Sequence, residues 1–319
     1  MFRTKKVAVI FDFDKTLSPD YMQRVVFEHY GIDDDSFWAE CQKFSDDNMQ
    51  ILGNNHSELS YMNQFLRCVE DGCMADLTNQ KLAELGEGIR LYPGVEQLLS
   101  DLNKQDVEIY IVSSGIKSML DSLESRVQKA TKNPSFKIQK IYGGDFREDP
   151  KTGLIKWVAS VVSPTDKLKA IMEISKGCDV YGFDVSASVP KGGRRVPLES
   201  MIYVGDGPSD TFAFNLIHDS GGYTLGVFNP DVMAQFEQIE RIREDDRLDL
   251  VAVADYRSGS TAYFWLMAKA SELTLKSSEE YEYRQLLRDL RAKKVGHIHP
   301  WNTKSLGEPN GKKQAQHHR

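Results

Sequence analysis

Residues 7–17 read VAVIFDFDKTL, and the reading of this stretch decides the fold. Five consecutive apolar residues have the character of a strand buried on both faces, as in a parallel sheet covered by helices. The run ends at two carboxylates separated by one residue, Asp12 and Asp14. In an extended chain residues i and i+2 point to the same side, so both can address one small space beyond the strand's carboxyl end. Open α/β sheets bind their ligands at that end.

Outward from this strand the texture changes twice. Residues 18–88 are polar, aromatic-bearing and helical in pattern (MQRVVFEHY, SELSYMNQFLRCVEDG, LTNQKLAELGEGI), with no convincing strand. An alternation of strands and helices then takes over. Pro93 and Gly94 open a helix, VEIYIV (107–112) is a strand, and 117–130 reads as helical. FKIQKIYGGDF (136–146) and DPKTGLIKWVASVV (149–162) read as a strand and a hairpin turning at 151–153, followed by a helix over 165–176. MIYVG (201–205), YTLGVF (223–228) and LDLVAVAD (248–255) are further strands, separated by helices over 208–218 and 231–243. The pattern predicts an α/β fold, a doubly wound parallel sheet with an inserted helical cap. The expected division is a core domain of residues 1–17 and 89–277, a cap of 18–88, and a charged helix with a disordered tail over 278–319.

Three more stretches bring polar groups to the same edge. In MIYVGDGPSD a buried strand again runs out into Asp206, with Asp210 one helical turn later. IYIVSSG brings Ser113, Ser114 and Gly115 to a strand end, offering hydroxyl and backbone N–H donors. In SPTDKLKAIMEI, Lys167 stands near a helix start, where its ammonium can reach the crevice. Converging carboxylates repel one another and are tolerable chiefly around a hard cation; all-oxygen ligation favours magnesium over zinc. Donors, a fixed positive charge and a metal are what a phosphate group needs. Each signal alone has an ordinary structural reading: an Asp at a strand end, a capping Ser, a solvated Lys, a Gly-Asp-Gly turn before Pro at a helix start. All four on one edge make the chemical reading the stronger one.

The ordered set FDFDKTL, IVSSG, DKLKAI and VGDGPSD resembles the four motifs of the haloacid dehalogenase superfamily, and looks closest to its phosphoserine-phosphatase-like branch. The resemblance implies that Asp12 is a nucleophile carrying an aspartyl phosphate and that Asp14 is the general acid and base. It implies magnesium held by Asp12, the backbone carbonyl of Asp14 and Asp206, with Asp210 acting through water or in a supporting position. Ser113, Ser114, Gly115 and Lys167 would hold the phosphoryl oxygens, and Thr16 would position the loop. The activity implied is a magnesium-dependent phosphatase acting on a small phosphorylated metabolite. A phosphotransferase of the same mechanism and a non-catalytic phospho-ligand-binding protein are the alternatives. A P-type pump is excluded because Leu17 replaces the Gly expected after DKT, and a dehalogenase would not need Asp14. Where the branch has a glutamate that meets a substrate ammonium, this chain has Tyr21, with Asp20 one step out of register. Arg67 is the loosely aligned candidate for meeting a substrate carboxylate.

Composition sets the outer limits. The 319 residues, 40% apolar and 27% charged with a net charge of −7, describe an ordinary globular protein with no sign of nucleic-acid binding. An anionic substrate must therefore be met by local cations or a metal. The four cysteines contain no C-x-x-C pair, so neither a disulfide framework nor a zinc site is expected, and a reducing, cytoplasmic setting follows. The apolar run after Arg3, Lys5 and Lys6 is too short for a signal peptide, and no stretch of about 18 apolar residues predicts a membrane span. Arg194 and Arg195, in the loop 178–200, are expected at the opposite edge of the sheet in a structural or interface role. In the tail, His297, His299, His317 and His318 lack a rigid frame for a metal site. From Arg291 onward cations outnumber the lone acid Glu308, as in a solvated tail.

Overall fold

The protein is described by a computed structural model over residues 5–52 and 57–297. Its elements run β1 (Val7–Phe11), α1 (Arg24–Tyr30), α2 (Asp34–Leu52), α3 (Ser57–Glu70), α4 (Asn79–Gly86), α5 (Val95–Lys104), β2 (Val107–Ile116) and α6 (Leu123–Thr131). After these come β3 (Ile138–Glu148), β4 (Ile155–Ser160), α7 (Pro164–Lys176), α8 (Cys178–Tyr181), β5 (Met201–Gly205) and α9 (Thr211–Asp219). β6 (Tyr223–Phe228), α10 (Met233–Glu244), β7 (Leu250–Val253) and α11 (Thr261–His297) complete the chain order. The described residues up to Ser277 form one compact unit, and those from Ser278 to His297, all helical, belong to a second. The expectations for the tail beyond His297, including His299, His317 and His318, lie outside the described residues.

The sheet has the strand order β4-β3-β2-β1-β5-β6-β7. β1 pairs in parallel with β2 on one side and β5 on the other, so the strand opened by Val7 is central. Only β4 runs antiparallel, to the far half of β3. This is the doubly wound α/β arrangement. The apolar run of β1 splits by its period of two: Val7, Val9 and Phe11 enter one core, Ala8 and Ile10 the other. Leu98, Leu99 and Leu102 of α5 belong to the first; Ile171 and Ile174 of α7, with Phe214 and Ile217 of α9, belong to the second. Each such buried side chain contributes about 1.5–3 kcal/mol of transfer free energy.

The described part of residues 19–88 contains helices and turns and no strand. Its helices rest on the hairpin: the Asn79 N–H donates to Glu148 Oε1 at 2.7 Å, and the Ile155 N–H to the Leu77 carbonyl at 3.1 Å. Two sequence expectations need correction. The helix expected over 117–130 is a 3-10 turn, Lys117–Leu120, followed by α6. That turn lays its backbone on α4: a Cβ on Gly86 would come within 2.0 Å of the Met119 carbonyl oxygen, so only glycine allows the approach. The last helix begins at Thr261 and not near Ser277, because Ala262, Leu266, Ala270 and Leu273 form a buried stripe in the first core.

Arg195 lies away from the carboxyl edge. Its backbone carbonyl accepts from the Lys6 N–H just before β1, and its guanidinium pairs with Glu108 near the start of β2. The loop 178–200 thus runs at the amino end of the sheet, and Arg195 has a structural partner there. Among the described residues no helix is long and apolar enough to cross a membrane.

Candidate active site

Beyond Phe11 the chain turns sharply. The N–H groups of Thr16, Leu17 and Ser18 all point to the Phe13 carbonyl at 2.8–3.2 Å, and Lys15 adopts a left-handed φ of 60°. The turn leaves Asp12 buried at 6% exposure. Asp12 Oδ1 accepts the Phe13 N–H at 2.7 Å, and Oδ2 lies 3.0 Å from Lys167 Nζ. Asp14 Oδ1 accepts the Met22 N–H at 2.9 Å, tying the strand end to the entry of the helical segment.

Lys167 is delivered from the opposite face of the sheet by α7. The helix start is set by Pro164 and by a reciprocal cap between Ser163 and Asp166. The ammonium is fully buried between Asp12 and Asp210, 2.6 Å from Asp210 Oδ1. Burial alone would lower its pKa, but Asp12 and Asp210 outweigh that and raise it, so Lys167 is a fixed positive charge.

Asp210, also fully buried, has both oxygens committed. Oδ1 accepts from Lys167 and from the Tyr203 hydroxyl at 2.6 Å; Oδ2 faces the N–H groups of Asp206 and Gly207 at 3.2 and 3.4 Å. A Cβ on Gly205 would stand 2.4 Å from Asp210 Oδ2, which is why a glycine closes β5. Asp210 therefore organises its neighbours, and the free carboxylate capacity of the cluster rests on Asp12 and Asp206. Asp206 Oδ1 receives a 3.3 Å hydrogen bond from Thr16 Oγ1.

Asp12, Asp206 and Asp210 each bring an oxygen within 4.8 Å of the others. Three carboxyls face one buried ammonium, and the imbalance shows in their electrostatics. Burial raises the Asp12 pKa, Lys167 opposes this, and Asp210 adds to it. Burial followed by repulsion from Asp210 and Asp12 raises Asp206 well above the ordinary carboxylate range. An all-oxygen cluster short of positive charge fits a hard divalent cation. Asp14 is pushed up to about 8, first by burial and then by the charge of Asp12.

These groups open into a cleft of about 550 Å³. Asp12, Asp14, Tyr21, Ser113, Ser114, Gly115 and Asp206 line it. Thr16, Lys167 and Asp210 are fully buried behind it. The Gly115 N–H is not the free donor the sequence promised: it is spent on Ser113 Oγ at 3.0 Å, which leaves the Ser113 hydroxyl proton available. Ser114 Oγ is buried without a partner. Asp20 is turned away from the cleft into ion pairs with Arg24 and Arg90. Arg67 is exposed on α3 and is not among the cleft-lining residues.

Sequence reasoning missed Gln23, Trp38, Tyr61, Gln235 and Gln238, which also line the cleft. For the glutamines of α10 the i, i+3 spacing on one helix face was a usable signal. For Tyr61, whose hydroxyl donates to the Ser114 carbonyl at 2.7 Å across 53 positions, no local signal existed.

A family model for haloacid dehalogenase-like hydrolases matches residues 9–214. An uncharacterized protein of Borreliella burgdorferi is 30% identical over 296 residues, covering 84% of this chain and 97% of its own. Among solved structures, a substrate-bound phosphoserine phosphatase complex is 15% identical, with 78% of this chain and 93% of that one covered and a TM-score of 0.48. A probable phosphoserine phosphatase from Vibrio cholerae is 12% identical, with 87% and 68% covered and a TM-score of 0.49. At these scores the likenesses add nothing to the assignment. On the family match, which runs from within β1 to within α9 and includes every residue of the carboxylate and lysine cluster, the chain belongs to the haloacid dehalogenase-like hydrolases.

Proposed function

We propose that the protein is a magnesium-dependent phosphomonoesterase of the phosphoserine-phosphatase-like type, working through an aspartyl phosphate on Asp12, with residues 18–88 as its cap. The observation that carries this reading is a pair. Asp12 opens onto the cleft with Lys167 at 3.0 Å behind it, and Asp14, two residues on, is held largely as the acid at neutral pH. A nucleophile must be ionised and a proton donor must not be, and burial and charge divide the two carboxyls in that sense.

In the first step an Asp12 oxygen bonds to phosphorus as the bond to the leaving oxygen breaks, and Asp14 passes its proton to that oxygen. In the second, water attacks phosphorus, Asp14 takes the water proton, and the bond from phosphorus to Asp12 breaks to free phosphate. Lys167 and the Ser113 hydroxyl meet the phosphoryl oxygens, where charge spreads in the transition state. The Thr16 hydroxyl and Asp210 hold Asp206 and its loop in place. Asp12, Asp206 and the main-chain carbonyl of Asp14 would hold magnesium, which when bound offsets the negative charge of the carboxylates and the phosphoryl group.

The pH dependence has a definite sign. Asp14 donates only while protonated, so with an alkyl phosphate the rate falls about tenfold per unit once pH passes about 8. An aryl phosphate, whose leaving group needs less protonation, declines less. Phosphate release measured across pH, with magnesium and with chelator, tests the proposal. Release that needs magnesium and falls with pH for the alkyl ester is expected. Release indifferent to the metal, or rising through the alkaline limb, contradicts it.

A further inference from the structure

The segment that follows β7 reaches back to the loop carrying Asp12 and Asp14, and it lies beyond residues 9–214, the span of the family match. The Ala254 N–H donates to the Phe228 carbonyl at 2.8 Å, which roots the segment at the end of β6. Tyr256 comes next and is fully buried. Its hydroxyl donates to the Thr16 carbonyl at 2.7 Å across 240 positions, and its N–H donates to the Pro93 carbonyl at 2.8 Å. Thr16 belongs to no strand or helix, so its buried carbonyl has no ladder to join and takes a side-chain donor instead.

These two contacts fall on the two places where the chain passes between the sheet and the helical segment. It leaves through residues 12–18 and returns through 88–94, and the Tyr92 N–H joins the two by donating to the Leu17 carbonyl at 2.8 Å. The return is shaped for close approach: Gly94 has a left-handed φ of 86°, and a Cβ there would stand 2.3 Å from the Tyr256 carbonyl group. Beyond Tyr256 the segment is fastened along α11. The Ser260 hydroxyl donates to the Asp255 carbonyl and accepts the Tyr263 N–H, while the Tyr263 hydroxyl donates to Asp101 of α5 at 2.9 Å. Further on, the Ser277 hydroxyl donates to the Lys5 carbonyl at 2.7 Å. One stretch of chain thus holds the backbone on both sides of β1, at Lys5 and at Thr16.

Thr16 carries the effect to the reacting groups. Its carbonyl is fixed by Tyr256, and its hydroxyl donates to Asp206 at 3.3 Å. Asp14 and Asp12 stand just before it in the same loop. We infer that Tyr256 is a positioning residue for the active site, pinning both chain crossings to one point and, through Thr16, fixing the loop that aligns Asp12 and Asp14 with Asp206. This rests on the phosphomonoesterase reading above and adds to it a residue that touches none of the reacting atoms. Misplacing reacting groups by about 1 Å can cost about 10²-fold in rate, so the loss of this donor is read in kcat.

The test is Tyr256→Phe in the full chain, which keeps the ring and the N–H to Pro93 and removes the donor to Thr16. With an aryl phosphate and saturating magnesium, kcat is expected to fall about tenfold or more while KM changes less than about threefold. Tyr263→Phe removes a hydroxyl from the same segment without touching the loop, and kcat is expected to be unchanged. Thr16→Val removes the hydroxyl to Asp206; in that background Tyr256→Phe should cost less than about twofold more, because both act along one route. In residue-resolved amide exchange of the intact protein, Leu17, Tyr92 and Tyr256 should open together as one unit. A folded Tyr256→Phe with kcat within about twofold of the intact protein overturns the inference. So does an equal loss in Tyr263→Phe, a full further loss in the Thr16→Val background, or a Leu17 amide that exchanges independently of Tyr256. Absence of phosphate release from the intact protein overturns the phosphatase reading, and the exchange pattern then decides by itself whether Tyr256 holds the loop.

Discussion

Asp12→Asn is expected to lower magnesium-dependent phosphate release from an aryl phosphate by at least ~10³-fold, since the covalent route needs an ionised oxygen at that position. Asn keeps the size of the side chain and an oxygen able to accept the Phe13 N–H. It loses the charge that faces Lys167 and the capacity to attack phosphorus. Because Lys167 still has Asp210 at 2.6 Å, the buried ammonium is not stranded, and the variant should remain folded. Rates for the intact and substituted proteins, with thermal unfolding as a control, decide the matter. A folded variant that retains more than about a tenth of the activity rules out Asp12 as the nucleophile.

The second large effect belongs to Lys167→Met, and it reaches beyond catalysis. The ammonium is fully buried and balances Asp12 and Asp210 together. Removing one partner from a buried ionic cluster costs about 3–5 kcal/mol, because the charges left behind are neither solvated nor paired. Urea unfolding in chelator should show a loss of that order near neutral pH. The stranded carboxylates bind protons more readily in the folded state than in the unfolded chain, so the deficit should shrink as pH falls. Activity should be lost as well, since nothing else described in the cluster supplies a fixed positive charge to the phosphoryl oxygens. An unchanged urea midpoint would mean that the Lys167 ion pairs do not support this fold.

How much of this was legible in the sequence depends on the range of the interaction involved. The apolar run of β1 was readable because burial on both faces leaves a local mark, and its residues do divide between two cores. Asp12, Asp14 and Asp206 were readable because each lies within three residues of a strand's carboxyl end, and Ser113 because it follows the apolar run Ile109–Val112, although β2 itself continues to Ile116. Lys167 was readable only as a helix-start residue; its burial between two carboxylates depends on α7 packing across the sheet, which no local pattern encodes. Tyr203 looked like one more apolar residue of a buried strand, yet its hydroxyl holds Asp210. Asp210 could be seen as a supporting carboxylate, but not that four hydrogen-bond donors converge on it. The early start of α11 was hidden because its buried stripe includes Ala262 and Ala270, which give a weak hydrophobic signal. In the helical segment, Tyr21 was placed by counting from Asp14, whereas Gln23, Trp38 and Tyr61 meet through tertiary packing alone.

The most direct test of the central claim is to look for the phosphorylated enzyme. The protein would be mixed with an aryl phosphate and magnesium, quenched rapidly in acid, and its peptides mapped by mass spectrometry after trapping of the acyl phosphate with hydroxylamine or borohydride. The account predicts modification confined to Asp12, dependent on substrate and absent from Asp12→Asn. Rapid turnover with Asp12 unmodified at every quench time, or with the label on another residue, would contradict it.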